Sequence, residues 1–130
     1  MIVLDASALL EVLLRTPQAD AVEKRIFSVG ETLHAPHLID AEVAQVLRRY
    51  AAQGDIEPER AREALQDLGD LPLTRYPHRL FLPRIWELRN NLTAYDAAYI
   101  ALAESLPAPL ITSDRRLAGA SGHEADILLV

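Results

Sequence analysis

Five short apolar runs, at residues 2–4, 33–35, 71–75, 110–112 and 127–130, alternate with longer stretches of helical periodicity, and this alternation constrains the fold more than any other feature. Parallel strands need crossover connections, usually helices, so runs this short and apolar predict an α/β chain with a mainly parallel sheet covered on both faces. The intervening segments read as helices. Residues 7–15 are dense in apolar side chains, and Thr16 with Pro17 supplies an N-cap and a first-turn proline for a second helix that Gly30 ends. Leu38, Ile39, Val43, Val46, Leu47 and Tyr50 form the apolar stripe of a third helix closed by Gly54, and Glu57-Pro58 opens a fourth. The stretch 77–90 is helical in parts and interrupted by Pro83, after which Thr93 caps a helix over 94–106. No repeat or linker divides the 130 residues, so a single domain over 1–130 is expected.

The acidic residues carry most of the functional signal. Glu23, Glu31, Asp55, Glu57, Glu59, Glu63, Asp67 and Asp70 fall on polar helix faces or turns and read as solvated surface. Asp5 ends the first apolar strand, and Asp114 follows the strand LIT after one intervening residue. Ligands of open parallel sheets collect beyond the carboxyl ends of strands, so both acids stand where chemistry usually occurs; each is equally placed to cap a helix. Glu42 and Asp96 have no such second explanation. Glu42 lies four residues after Leu38 and four before Val46, inside an apolar stripe, and Asp96 precedes Tyr99 and Ile100 by three and four. A carboxylate buried alone is penalised by several kcal/mol, roughly, so each needs a partner: an arginine or a cation.

Four carboxylates gathered in one crevice raise one another's pKa unless a cation neutralises them. An oxygen-only donor set suits one or two Mg²⁺ or Mn²⁺ ions, and the absence of cysteine excludes thiolate ligation. Such a site fits metal-assisted attack of water on phosphorus. His34, His37, His78 and His123 have no metal-like spacing and are assigned structural or surface roles. A net charge of −6 disfavours generic electrostatic binding of nucleic acid, although two bound divalent cations would offset four of those charges. MIVLDAS lacks the basic start of a secretory signal, and no apolar stretch is long enough for a bilayer, so a cytoplasmic, non-membrane protein is expected.

Taken in order, MIVLDASALL, HLIDAEVAQVLRRY, NLTAYDAAYIALAE and LITSDRRLA closely resemble the four acidic motifs of PIN-domain proteins, specifically the VapC-like toxins of bacterial toxin–antitoxin pairs. The resemblance spans nearly the whole chain. It implies a three-layer α/β/α fold and an Mg²⁺- or Mn²⁺-dependent endoribonuclease with Asp5, Glu42, Asp96 and Asp114 as the catalytic, metal-binding acids. Ser7 and Thr112 match small polar positions beside that site, able to hydrogen-bond a carboxylate or a metal-bound water, or simply to serve as cap and strand residues. The resemblance further implies a homodimer held inactive by a VapB-like antitoxin that presents a basic side chain to the acids. For RNA, Arg75, Arg79, Arg84 and Arg89 with His78, and Arg115 and Arg116 after Asp114, offer a local basic rim; Arg89 and Arg115 are the preferred contacts. Two other readings compete, a phosphohydrolase of another α/β family and a catalytically silent partner-binding domain. LDAS lacks the second acid of an Asp-x-Asp nucleophile motif, and intact acids at all four positions weigh against silence.

Overall fold

In the computed structural model, which describes residues Met1–Val130, the apolar runs become five strands. They are β1 (Ile2–Leu4), β2 (Leu33–Pro36), β3 (Leu73–Tyr76), β4 (Leu110–Thr112) and β5 (Ile127–Leu129). All neighbours pair in parallel in the order β3-β2-β1-β4-β5, with Val3 of central β1 beside both His34 and Leu110. Every residue of β1, β2 and β4 is buried, which is why their sequences show no polar alternation. His34 is tolerated there because its two ring nitrogens lie 2.7 Å from Tyr76 Oη and 2.7 Å from Thr32 Oγ1.

The crossovers are helical. α1 (Ala6–Leu13) and α2 (Ala19–Ile26) join β1 to β2, and α3 (Leu38–Ala52) and α4 (Pro58–Asp70) join β2 to β3. α5 (Leu82–Glu87) and α6 (Ala94–Ser105) join β3 to β4, and the one-turn α7 (Arg115–Ala118) leads towards β5. Helices α1 to α4 pack on one another, whereas α5 packs on α6 and α6 on β1, β2 and β4. Two helical layers around the sheet follow from right-handed crossovers that run outward from β1 to β3 and then return on the other side of β1 as β4. Strand order therefore reverses between β1 and β4, and a crevice opens at their carboxyl ends. Beneath it lies one core that includes Val3, Leu4, Leu9, Ile39, Ile100 and Ile111. Complete burial of a Leu or Ile side chain contributes about 1.5–3 kcal/mol. No helix is long and apolar enough to cross a membrane.

Four local expectations are corrected. Thr16 does not cap the second helix, which begins at Ala19 behind Gln18 with no side-chain cap; the Thr16 hydroxyl is instead drawn to Glu11, after Arg15 turns the chain at φ +54°. That helix ends at Ile26, and Gly30 serves the following turn, where φ is +84°. Pro83 lies in the first turn of α5, where its missing N–H is not needed, so the 3-10 turn His78–Phe81 and α5 replace an interrupted helix. β3 begins at Leu73, not residue 71, because the Leu71 N–H still bonds to the carbonyls of Asp67 and Leu68 at the end of α4.

Candidate active site

The sequence passes from β1 straight into α1, so the residue at that junction faces orphan helix N–H groups on one side and the crevice on the other. Asp5 occupies it, and one oxygen, Oδ1, accepts the Ala8 N–H at 2.9 Å. The hydroxyl of Ser7 lies 2.8 Å from Oδ1 and that of Thr112, on β4, 2.5 Å from Oδ2. Those hydroxyls in turn accept backbone N–H groups from the segment after β4, Ser113 to Ser7 at 2.9 Å and Asp114 to Thr112 at 3.0 Å. Both hydroxyl protons thus serve Asp5, and the ends of β1 and β4 are clamped through one carboxylate. Asp5 is 5% exposed. Burial pushes its carboxyl above the usual range; hydrogen bonds from Ala8, Thr112 and Ser7 oppose that, and the charge of Asp114 adds to it.

Glu42 and Asp96 arrive from helices on either side of the crevice. Thr93 caps α6 by accepting the Asp96 N–H at 3.2 Å, which fixes Asp96 in the first turn. One turn later Tyr99 reaches across and donates its hydroxyl to Glu42 Oε1 at 2.7 Å, tying α6 to α3. Burial raises the Glu42 carboxyl, the Tyr99 hydrogen bond lowers it, and Asp96 and Asp5 raise it further. Burial and then the charge of Glu42 push the Tyr99 phenol far above its ordinary range, so it remains a donor. Asp114 caps α7, accepting the N–H groups of Arg116 at 2.8 Å and Leu117 at 3.3 Å. The Arg116 guanidinium folds back, with Nη2 3.0 Å from Asp96 Oδ2 and 3.4 Å from Asp114 Oδ2. All four acids, with Ser7, Ser113, Tyr99 and Arg116, line one open cavity of about 860 Å³.

The donor set fits a hard divalent cation. It consists of oxygen only, burial and then the neighbouring carboxylates make its buried members resist ionisation, and the Ser113 hydroxyl lines the cavity buried and without a partner. In the present rotamers no three acidic or histidine side chains are gathered closely enough to hold a metal ion, and Arg116 supplies the positive charge between Asp96 and Asp114.

The basic rim differs from expectation. Arg75 is paired with Asp40 and Arg84 with Glu104 and Glu87. Arg89 lies over the ring of Trp86 at 4.7 Å and donates to that residue's carbonyl, outside the cavity. Arg115 is exposed and does not line the cavity either; its neighbour Arg116 does, together with Arg49, because the cap at Asp114 sets the helical phase so that the second arginine turns inward. Of the two inward acids, Asp96 thus has an arginine partner within the chain, and Glu42 has none. The sequence offers Arg116 only as part of the basic rim, behind Arg115, and does not mark Tyr99 or Ser113 as site residues. Tyr99 left one signal: a hydroxyl in the otherwise apolar run AAYIALA needs a partner, and an acid stands one turn earlier.

The model of the PIN domain matches residues 2–122. Ribonuclease VapC9 of Mycobacterium tuberculosis is 45% identical over 130 residues, spanning all of this chain and 98% of the relative. Among solved structures, that of Mycobacterium tuberculosis VapC20, described as a Sarcin-Ricin loop cleaving toxin, superposes with a TM-score of 0.70 at 12% identity, over 95% of this chain and 100% of that one. VapBC-1 from nontypeable Haemophilus influenzae gives 0.64 at 18%, over 99% and 98%. At those identities the two structures speak for the fold alone.

Proposed function

The chain belongs to the PIN-domain family, and from that premise we propose that it is a metal-dependent endoribonuclease, one domain over its whole length, acting as the toxin of a toxin–antitoxin pair. The observation that carries this reading is the convergence of Asp5, Glu42, Asp96 and Asp114 on the crevice where strand order reverses. The full-length likeness to a relative named a ribonuclease supports RNA as the substrate class. The cytoplasm is where such a substrate would be met.

Asp5, Glu42, Asp96 and Asp114 would hold one or two Mg²⁺ or Mn²⁺ ions. When bound, such an ion lowers the pKa of a water and offsets charge on the departing oxygen. The chain's own groups do the positioning. Ser7 and Thr112 fix both oxygens of Asp5, so its orientation needs no reorganisation on binding. Glu42, with raised proton affinity and an oxygen held by Tyr99, is suited to accept a proton from the attacking water. Arg49 and Arg116 offer charge to the RNA backbone beside an otherwise acidic site, with Arg89 and Arg115 as outer contacts. A homodimer and a VapB-like antitoxin that covers the crevice complete the reading, on the strength of the VapC likeness.

The test is purified chain, free of antitoxin, incubated with defined transfer and ribosomal RNA fragments in Mg²⁺, Mn²⁺ or chelator, beside Asp5→Asn and Asp96→Asn. Discrete metal-dependent cuts that vanish in both variants are expected. Equal cutting by the variants would sink the site assignment.

A further inference from the structure

Four acids share the crevice, yet one guanidinium makes every ion pair they have. Arg116 Nη2 bridges Asp96 Oδ2 and Asp114 Oδ2, and neither Asp5 nor Glu42 is paired with a cation. The two sides of this bridge differ in freedom. Asp96 is 15% exposed and fixed in the capped first turn of α6, whereas the Arg116 side chain is 68% exposed. The Arg116 backbone is anchored separately, through its N–H on Asp114 Oδ1, so the guanidinium can leave without α7 losing its cap. Exposed ion pairs of this kind are weak and exchange readily. A divalent cation in contact with Asp96 would place like charge against a guanidinium that shares the same carboxylate oxygen, and the monovalent, mobile partner is the one that must yield.

We propose that Arg116 is a displaceable counterion: it holds Asp96 and Asp114 together in the metal-free chain, gives them up when a divalent cation binds, and then engages a phosphate of the RNA drawn to that cation. The proposal rests on the metal-dependent nuclease reading above and assigns its site a resident competitor. Until a cation binds, Arg116 keeps Asp96 and Asp114 from repelling one another. Displacement also couples the two halves of substrate recognition, because the arginine becomes available to RNA only once the cation is in place.

Calorimetric titration of the chelator-stripped full chain with Mn²⁺ tests the first step, with Arg116→Gln, Arg116→Lys and Asp96→Asn alongside. Arg116→Gln should bind Mn²⁺ about two- to fivefold more tightly than wild type, the range one weak exposed ion pair allows, and Arg116→Lys should return towards wild type. Asp96→Asn should weaken binding. Cleavage of a single-stranded RNA at saturating Mn²⁺ tests the second step, where Arg116→Gln should lower kcat/KM about tenfold through loss of a charge-assisted contact. Wild-type binding with no tightening in Arg116→Gln would overturn the role of Arg116 and leave the metal site standing. Tighter binding with unchanged kcat/KM would overturn the transfer to RNA. Absence of Mn²⁺ binding in wild type and variants alike would overturn the metal reading together with the proposal.

Discussion

Asp5 caps α1 and is buried in the crevice, and these two facts act on stability in opposite directions. Its carboxyl holds a proton more tightly in the folded chain than in the unfolded one, so ionising it weakens the fold. That penalty is absent at pH values below the ordinary carboxylate range, grows as pH rises, and is complete above the raised folded-state value. Asp5→Asn keeps an acceptor for the Ala8 N–H and removes the charge. Metal-free Asp5→Asn should therefore be more stable than wild type at pH 7, by on the order of 1 kcal/mol, with the gain vanishing near pH 3. Urea unfolding at the two pH values checks this; a variant less stable at pH 7 would show that the cap outweighs the buried charge. Tyr99 gives a second prediction. Its hydrogen bond lowers the Glu42 pKa, so Tyr99→Phe should raise it and move the acid limb of the kcat/KM profile to higher pH. An unmoved limb would mean that Glu42 does not titrate in the reaction. At this scale the acids were legible because strand-end and apolar-stripe positions are anomalous for a carboxylate. Arg116 was legible only as one of two rim arginines, because which of Arg115 and Arg116 turns to the acids is undecided until the phase of a one-turn helix is known.

Elements were legible in proportion to how far local chemistry decides them. The strands and the cap at Thr93 follow from apolar runs and a threonine before a helical stretch, and the structure places them within about two residues. The start of α2 and the role of Pro83 depended on contacts the sequence does not display, Glu11 on the Thr16 hydroxyl and the 3-10 turn ahead of α5. The cap of α6 matters beyond stability because it secures the turn that carries Asp96. Thr93→Ala should cost about 1 kcal/mol and reduce RNA cleavage further than the stability loss alone explains. Gly54→Ala is the control, since Gly54 sits at φ +78° with open space around it, in the turn beyond the C-terminal end of α3 and far from Glu42 near its start. It should cost about 1–2 kcal/mol from the backbone alone while kcat/KM at a temperature where both variants are folded stays at the wild-type value. Equal activity in the two variants would show that α6 does not depend on its cap to present Asp96.

At the scale of the whole molecule, the crevice is a concentration of negative charge that two strand ends and two helices are folded to maintain. The chain's own groups offset part of that repulsion: Arg116 on Asp96 and Asp114, the Tyr99 hydroxyl on Glu42, and the hydroxyl clamp with the Ala8 N–H on Asp5. A cation that binds the native site and not the unfolded chain must then stabilise the whole domain. At a concentration about a hundredfold above its Kd the gain is about 2.7 kcal/mol. For a chain of 130 residues that corresponds to a rise in Tm of about 10 °C. The pH dependence carries the signature of the site. Acidification reprotonates Asp5 and Glu42 first, because both hold protons more tightly than ordinary carboxylates, and a protonated carboxyl is a poor ligand. The Mn²⁺-induced shift should therefore shrink on going from pH 7.5 towards pH 5, before solvated surface carboxylates titrate, and should be largely lost in Asp96→Asn at any pH. Thermal melts with Mn²⁺ or chelator across that range measure it. A shift that is independent of pH and survives Asp96→Asn would place the stabilising cation elsewhere on the acidic surface, and the four carboxylates would lose their claim to be a single centre.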